Sequence, residues 1–262
     1  MSSNDKRTNR PPTAKTKGKP VRVASAPPKR SPVLMATIGA VAAGLILVVI
    51  LVVMNGLPGG TPTTLAAPEF ESPAALADGR SLGDTDAPIA IDVWADYQCP
   101  WCGVFTEQIE SLIVPLYVQP GHARLTFRDL AFLGPESIDA AVAARVAGDQ
   151  GGNFWPYHDM LFANQHGENQ GAFTRERLAD IAVAVGLDRQ AFLAAMDDPK
   201  YLAAVQQETG EGNALGIRST PTMIINGQPF DALLDWAKVA AYLDSLVAAA
   251  SGAPDGTGSP TP

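Results

Sequence analysis

Cysteine and histidine are scarce in this chain of 262 residues: two Cys (Cys99 and Cys102) and three scattered His (His122, His158 and His166). No histidine stands at ligand spacing to the cysteine pair, which alone supplies two of the four or so donors that a closed zinc site needs. Positive charge is missing between Arg30 and Arg80, and charge of either sign is missing from Val33 to Met54. No internal repeat is present, which sets solenoid architectures aside. Apolar residues make up 46% of the chain, enough to bury a core.

The uncharged run Val33–Met54 is 22 residues long. At about 1.5 Å per residue, a helix of that length covers roughly 33 Å and crosses a hydrocarbon layer. It lacks the polar stripe of a surface helix. A cleaved signal peptide would have a shorter apolar region, with a small-residue cleavage site close behind. Here Asn55-Gly56-Leu57-Pro58-Gly59-Gly60 follows, and Thr64 and Ala66 lie far from the run, so an uncleaved anchor is expected. Nine Lys or Arg against one acid, Asp5, precede the span. The positive-inside rule puts that end in the cytoplasm and everything after residue 55 outside. By contrast, the rest of the chain holds 26 acids and 10 basic residues. The basic arm is explained by the membrane, and the acidic bulk argues against nucleic acid. An extracytoplasmic compartment lets disulfides form and persist.

The expected organisation is therefore a disordered basic arm (1–32), a transmembrane helix (33–54), a flexible linker (55–84), one folded domain (85–250) and a low-complexity tail (251–262). Within the domain, Pro88–Trp94 and His122–Leu130 read as strands. A helix starts near Pro100 and runs towards Val114, where Pro115 should kink or end it. Residues from about 135 to 215 read as a block of helices; Thr174 resembles a cap, and Gly186 marks a stop. Thr222–Ile225, Asn226-Gly227 and Gln228–Phe230 form a hairpin, and a last helix covers about 235–249. The fold class is α/β, a β-α-β half and a β-β-α half with helices between.

Chemistry concentrates in Asp96-Tyr97-Gln98-Cys99-Pro100-Trp101-Cys102, at a strand-to-helix junction. Two intervening residues allow a small disulfide ring. The helix N-terminus favours a thiolate on Cys99, which makes it a good leaving group and the pair oxidising. Cys102, one turn deeper, is the resolving thiol. A purely structural bridge across so short a loop would remove little unfolded-chain entropy. Metal binding by the pair is the other alternative. Trp101 offers an apolar contact and tunes the potential. Pro221, in Ser219-Thr220-Pro221-Thr222, is either an ordinary residue ahead of a strand or a cis proline beside the pair.

Strand, Cys99-Pro100-Trp101-Cys102, helix, helical block, Thr220-Pro221, strand and Asn226-Gly227 together resemble the DsbA-like branch of the thioredoxin superfamily, in its membrane-tethered form. Leu82-Gly83-Asp84, Ala87-Pro88 and Phe154-Trp155-Pro156-Tyr157-His158 add to the likeness, which covers about 80–250. The resemblance implies a thioredoxin-like fold with a helical insertion. It implies Cys99 as the exchanging sulfur, Cys102 as the resolving one and Pro100 and Trp101 in support. Pro221 would be cis, with the Thr220 backbone offered to an extended substrate. Partners would be cysteine-containing extracytoplasmic proteins and a quinone-linked membrane protein that re-oxidises the pair. No cofactor is called for.

One departure from that family is Val93, where members often carry an acid that assists the resolving thiol. Asp92 points to the other face, and Asp96 reads as a turn or cap residue. The aromatic residues Phe154, Trp155, Tyr157 and Phe162 read as core of the insertion, and His158 as a solvated or hydrogen-bonded helix residue. Oxidation of cysteine pairs is the expected activity. A reductase or isomerase of the same fold, and a non-enzymatic copper- or peptide-binding protein, are the alternatives.

Overall fold

The structure, a computed structural model, describes Gly44 and residues 64–252. The chain divides into two units, Met1–Pro58 and Gly59–Pro262, and the sheet with all its covering helices belongs to the second. The span expected over 33–54, Gly44 apart, lies outside the described residues, as do the arm 1–32 and the tail beyond residue 252. Among the described residues no helix is long and apolar enough to cross a membrane.

Six strands form one mixed sheet. Strand β1 is Ala77–Asp78, β2 Ser81–Leu82, β3 Ile89–Ala95, β4 Ala123–Asp129, β5 Thr222–Ile225 and β6 Gln228–Phe230. Their order is β1-β2-β4-β3-β5-β6. Only β3 and β4 run parallel, joined by the helix that begins at Pro100 as a β-α-β unit; β5 pairs antiparallel with β3, and β6 with β5. Central β3 carries the β-branched and aromatic residues Ile89, Ile91, Val93 and Trp94, all buried, as a strand covered by helices requires. Asn226 (φ 50°) and Gly227 (φ 76°) take the left-handed conformations that a tight β5–β6 turn demands.

Helix α1 begins at Pro100 and is regular to Phe105. It continues without a break through a π-helical stretch at Thr106–Glu110, a turn at Ser111–Ile113 and a second π stretch at Val114–Val118. Pro115 therefore does not end the helix. The wider π turn absorbs the missing N–H and lets the chain run on to Val118. The helical block comprises α2 (Pro135–Asp149), α3 (Phe154–Ala163), α4 (Arg175–Ala184), α5 (Arg189–Met196) and α6 (Pro199–Ala214); α7 (Trp236–Ser251) closes the domain. Thr174 caps α4 by accepting from Arg177 N, and Gly186 (φ 87°) follows its end. Phe154, Trp155, Tyr157 and Phe162 are all buried, and Phe154 and Phe162 meet Phe127 of β4, so the insertion and the sheet share one core.

The flexible linker expected over 55–84 requires correction for residues 64–84. Ala66 N donates to Asn164 Oδ1 (2.8 Å) and Asn164 Nδ2 returns a bond to Ala66 O (2.9 Å). Ser72 N and Oγ both donate to the Asp159 carboxylate. Leu65, Phe70 and Leu76 pack on the core, and β1 and β2 join the sheet. The packed unit thus includes a strap ahead of the expected boundary at 85. Its small residues and two-residue strands leave no periodicity to read.

Behind the sheet, Asp129 and Glu208 are buried among three guanidiniums. Arg145 Nε donates to Asp129 (2.7 Å) and its Nη2 to Glu208 (2.8 Å); Arg80 forms a two-pronged pair with Glu208, and Arg128 joins at 3.3 Å. Burial pushes the Asp129 carboxyl up to about 6. The network ties β4 to α2 and α6.

Candidate active site

The loop between β3 and α1 is organised by one buried carboxylate. Asp96 Oδ1 accepts from Gln98 N (2.8 Å) and Ser137 Oγ (2.6 Å); Oδ2 accepts from Phe132 N (2.9 Å) and Leu133 N (3.1 Å). The turn residue expected at this position is thus also the joint between three chain segments. Gln98 extends the joint by donating to Ser137 Oγ and accepting from Asn169 N. From the other side, Gln165 Nε2 donates to the carbonyls of Tyr97 (2.6 Å) and Cys99 (3.1 Å). Gly103 makes this approach possible, since a Cβ there would stand 2.5 Å from Gln165 Oε1. Sequence reasoning missed Gln165, Ser137 and Asn169, which carry no motif and lie far along the chain.

Cys99 is the N-cap of α1 and Pro100 its first residue. Both cysteines are free thiols; Cys99 is 6% exposed and Cys102 1%. Trp101 between them is 61% exposed, an apolar surface beside the reactive sulfur. The Thr220–Pro221 peptide is cis, and the Thr220 carbonyl accepts from Cys99 Sγ at 3.3 Å. The structure therefore brings Cys99, Cys102, Pro100, Trp101, Thr220 and Pro221 together. Val93 is buried, and Asp92 pairs with Arg128 at 2.9 Å on the sheet.

The two thiols differ electrostatically. Cys99 is lowered from 9.0 to about 6, first by a hydrogen bond from the Cys102 thiol. Burial opposes this; hydrogen bonding to the Thr220 side chain and to the N–H groups of Cys102 and Trp101 adds to it. The contact with the Thr220 carbonyl works the other way, because it needs the proton, but it is outnumbered by donors. Cys102 is pushed well above its ordinary value, chiefly by burial and then by the hydrogen bond it gives to Cys99. One sulfur is a thiolate near neutrality, and the other keeps its proton.

A dithiol at a strand-to-helix junction, beside a cis proline just ahead of the paired strand β5, defines a thiol–disulfide oxidoreductase of thioredoxin fold. The chain belongs to the thioredoxin family, whose model, described as Thioredoxin, matches residues 76–245. Disulfide bond formation protein D of Bacillus subtilis is 26% identical over 160 residues, covering 60% of this chain and 72% of that protein. The Na(+)/H(+) antiporter NhaA of Herminiimonas arsenicoxydans is 29% identical over 163 residues, 62% of this chain but 25% of the antiporter. The fold is shared with the crystal structure of oxidised BdbD from Bacillus subtilis, with a TM-score of 0.61 at 22% identity over 71% of this chain and 100% of that one.

Proposed function

We propose that the chain works outside the cytoplasm, anchored by segment 33–54, and oxidises cysteine pairs of secreted or surface proteins through a Cys99–Cys102 disulfide. The observation that carries this reading is the asymmetry of the thiols, Cys99 lowered to about 6 and Cys102 raised. A client thiolate attacks Cys99 Sγ of the oxidised pair; the client–Cys99 bond forms, the Cys99–Cys102 bond breaks, and Cys102 takes up a proton. The client's second thiolate then attacks the client sulfur of the mixed disulfide and expels Cys99 as a thiolate. The client leaves oxidised and the pair is reduced by two electrons. A low-pKa thiol leaves fast and stabilises the reduced enzyme, so the cycle runs towards client oxidation. A quinone-linked membrane partner would take the electrons back.

The Thr220 carbonyl and exposed Trp101 offer a client an acceptor and an apolar surface on either side of the sulfur. The test is capture. Full-length protein carrying Cys102→Ala should accumulate client–Cys99 mixed disulfides that dithiothreitol releases, and Cys99→Ala should capture none. Absence of captured clients in the Cys102→Ala cells would end the proposal.

A further inference from the structure

Beneath the active-site loop lies a polar cluster that disulfide exchange does not use. Glu110 comes from α1, His158 and Asp159 from α3, and all three are at most 3% exposed. One ligand atom from each lies within 4.8 Å of the others. Glu110 Oε1 and His158 Nε2 stand 3.4 Å apart, and neither atom makes a hydrogen bond. A buried polar atom left without a partner costs about 1–3 kcal/mol, and two facing each other form a costly arrangement for a core. His158, expected from sequence to be solvated or hydrogen-bonded on a helix, is fully buried among aromatic rings, the nearest being Phe127 at 4.8 Å between centroids.

We propose that Glu110, His158 and Asp159 bind a zinc ion. With zinc–ligand bonds of about 2.0–2.1 Å, the edge of a tetrahedron is about 3.3 Å, close to the separation of the two unpartnered atoms. One imidazole with two carboxylates is a borderline donor set that suits zinc better than calcium or magnesium. The surroundings match what an ion needs from its outer shell. Tyr97 Oη lies 3.1 Å from His158 Nδ1, where it can accept that N–H and leave the Nε2 lone pair facing Glu110. Ser72 N and Oγ hold the Asp159 carboxylate in place. A route also exists: a cavity of about 420 Å³ abuts Asp159, lined by Ser72, Pro156 and Val185. Displacing the strap at Ser72 would open it to solvent. The ion would join α1, which carries both cysteines, to α3 of the insertion.

The test uses full-length protein with Cys99→Ala and Cys102→Ala, because a free dithiol binds zinc by itself. Purified without chelator from zinc-supplemented cells, it should hold about one zinc per chain by elemental analysis. Glu110→Gln and, at the outer side of the cluster, Asp159→Asn should each lose that zinc. Tyr97→Phe should weaken binding roughly tenfold, as expected of an outer-shell partner. If Glu110→Gln does not fold, Asp159→Asn decides alone. A metal-free parent, or zinc retained unchanged in Asp159→Asn, overturns the proposal.

Discussion

Cys99 Sγ lies 3.3 Å from the Thr220 carbonyl, so the protonated thiol, and only that form, can donate to the residue before the cis proline. In the disulfide form the sulfur has no proton to give, and the carbonyl is left without that donor. An extended client can then supply a backbone N–H.

Reactivity should separate the two thiols. With Cys99 lowered to about 6, alkylation of the reduced protein by iodoacetamide should rise with a midpoint near pH 6. Mass spectrometry should place the label on Cys99, while buried, protonated Cys102 stays unlabelled at neutral pH. Labelling of Cys102 at a comparable rate would contradict the assigned roles.

The same shift sets a redox preference. The Cys99 pKa is lower folded (about 6) than unfolded (9.0), so its stabilisation is complete above pH 9 and lost as pH falls through 6. The oxidised protein has no such thiol. Urea denaturation should therefore show the reduced form gaining on the oxidised form between about pH 6 and pH 9. Equilibration with glutathione should give a potential nearer −120 mV than the roughly −270 mV of thioredoxin. A value at the thioredoxin end would make the protein a reductase.

Asp96 accepts four hydrogen bonds while 1% exposed. Asp96→Ala leaves three backbone N–H groups without their acceptor and should cost about 2–4 kcal/mol, read as a lower urea midpoint. Asp96→Asn, which keeps one oxygen, should fall between.

The network behind the sheet makes a similar demand. Arg145→Met removes one of the two guanidiniums, with Arg80, that pair with both Asp129 and Glu208, and should cost about 3–5 kcal/mol because two buried acids then face each other with less compensation. A cost below about 1 kcal/mol would mean that Arg80 alone satisfies the pair.

The thioredoxin fold was legible because its signals are local. Ile89–Val93 alternates and clusters β-branched residues, Pro100 opens a helix, and Asn226-Gly227 can hardly be anything but a turn. The residues grouped at the site were legible for the same reason: Cys99–Cys102 and Thr220-Pro221 each sit at the end of a strand, and β3 and β5 pair. What escaped were partners brought together only by folding. Gln165 reaches the Cys99 carbonyl from beyond α3, and Ser137 reaches Asp96 from α2. Glu110 and His158 face each other from different helices, and neither has a sequence neighbour that announces it. The strap 64–84 reads as a tether because prolines, alanines and glycines recur in it; the Asn164 and Asp159 side chains that fix it lie far along the chain.

The margins of the sheet have a consequence for solubility. One edge, β1, is two residues long, and the other, β6, has Pro229 at its centre. Neither offers the long, regular row of unpaired amides on which a foreign strand could polymerise. A catalyst of disulfide exchange meets chains whose backbones are still unsatisfied. With both borders blunted, this domain can handle such chains without seeding their aggregation.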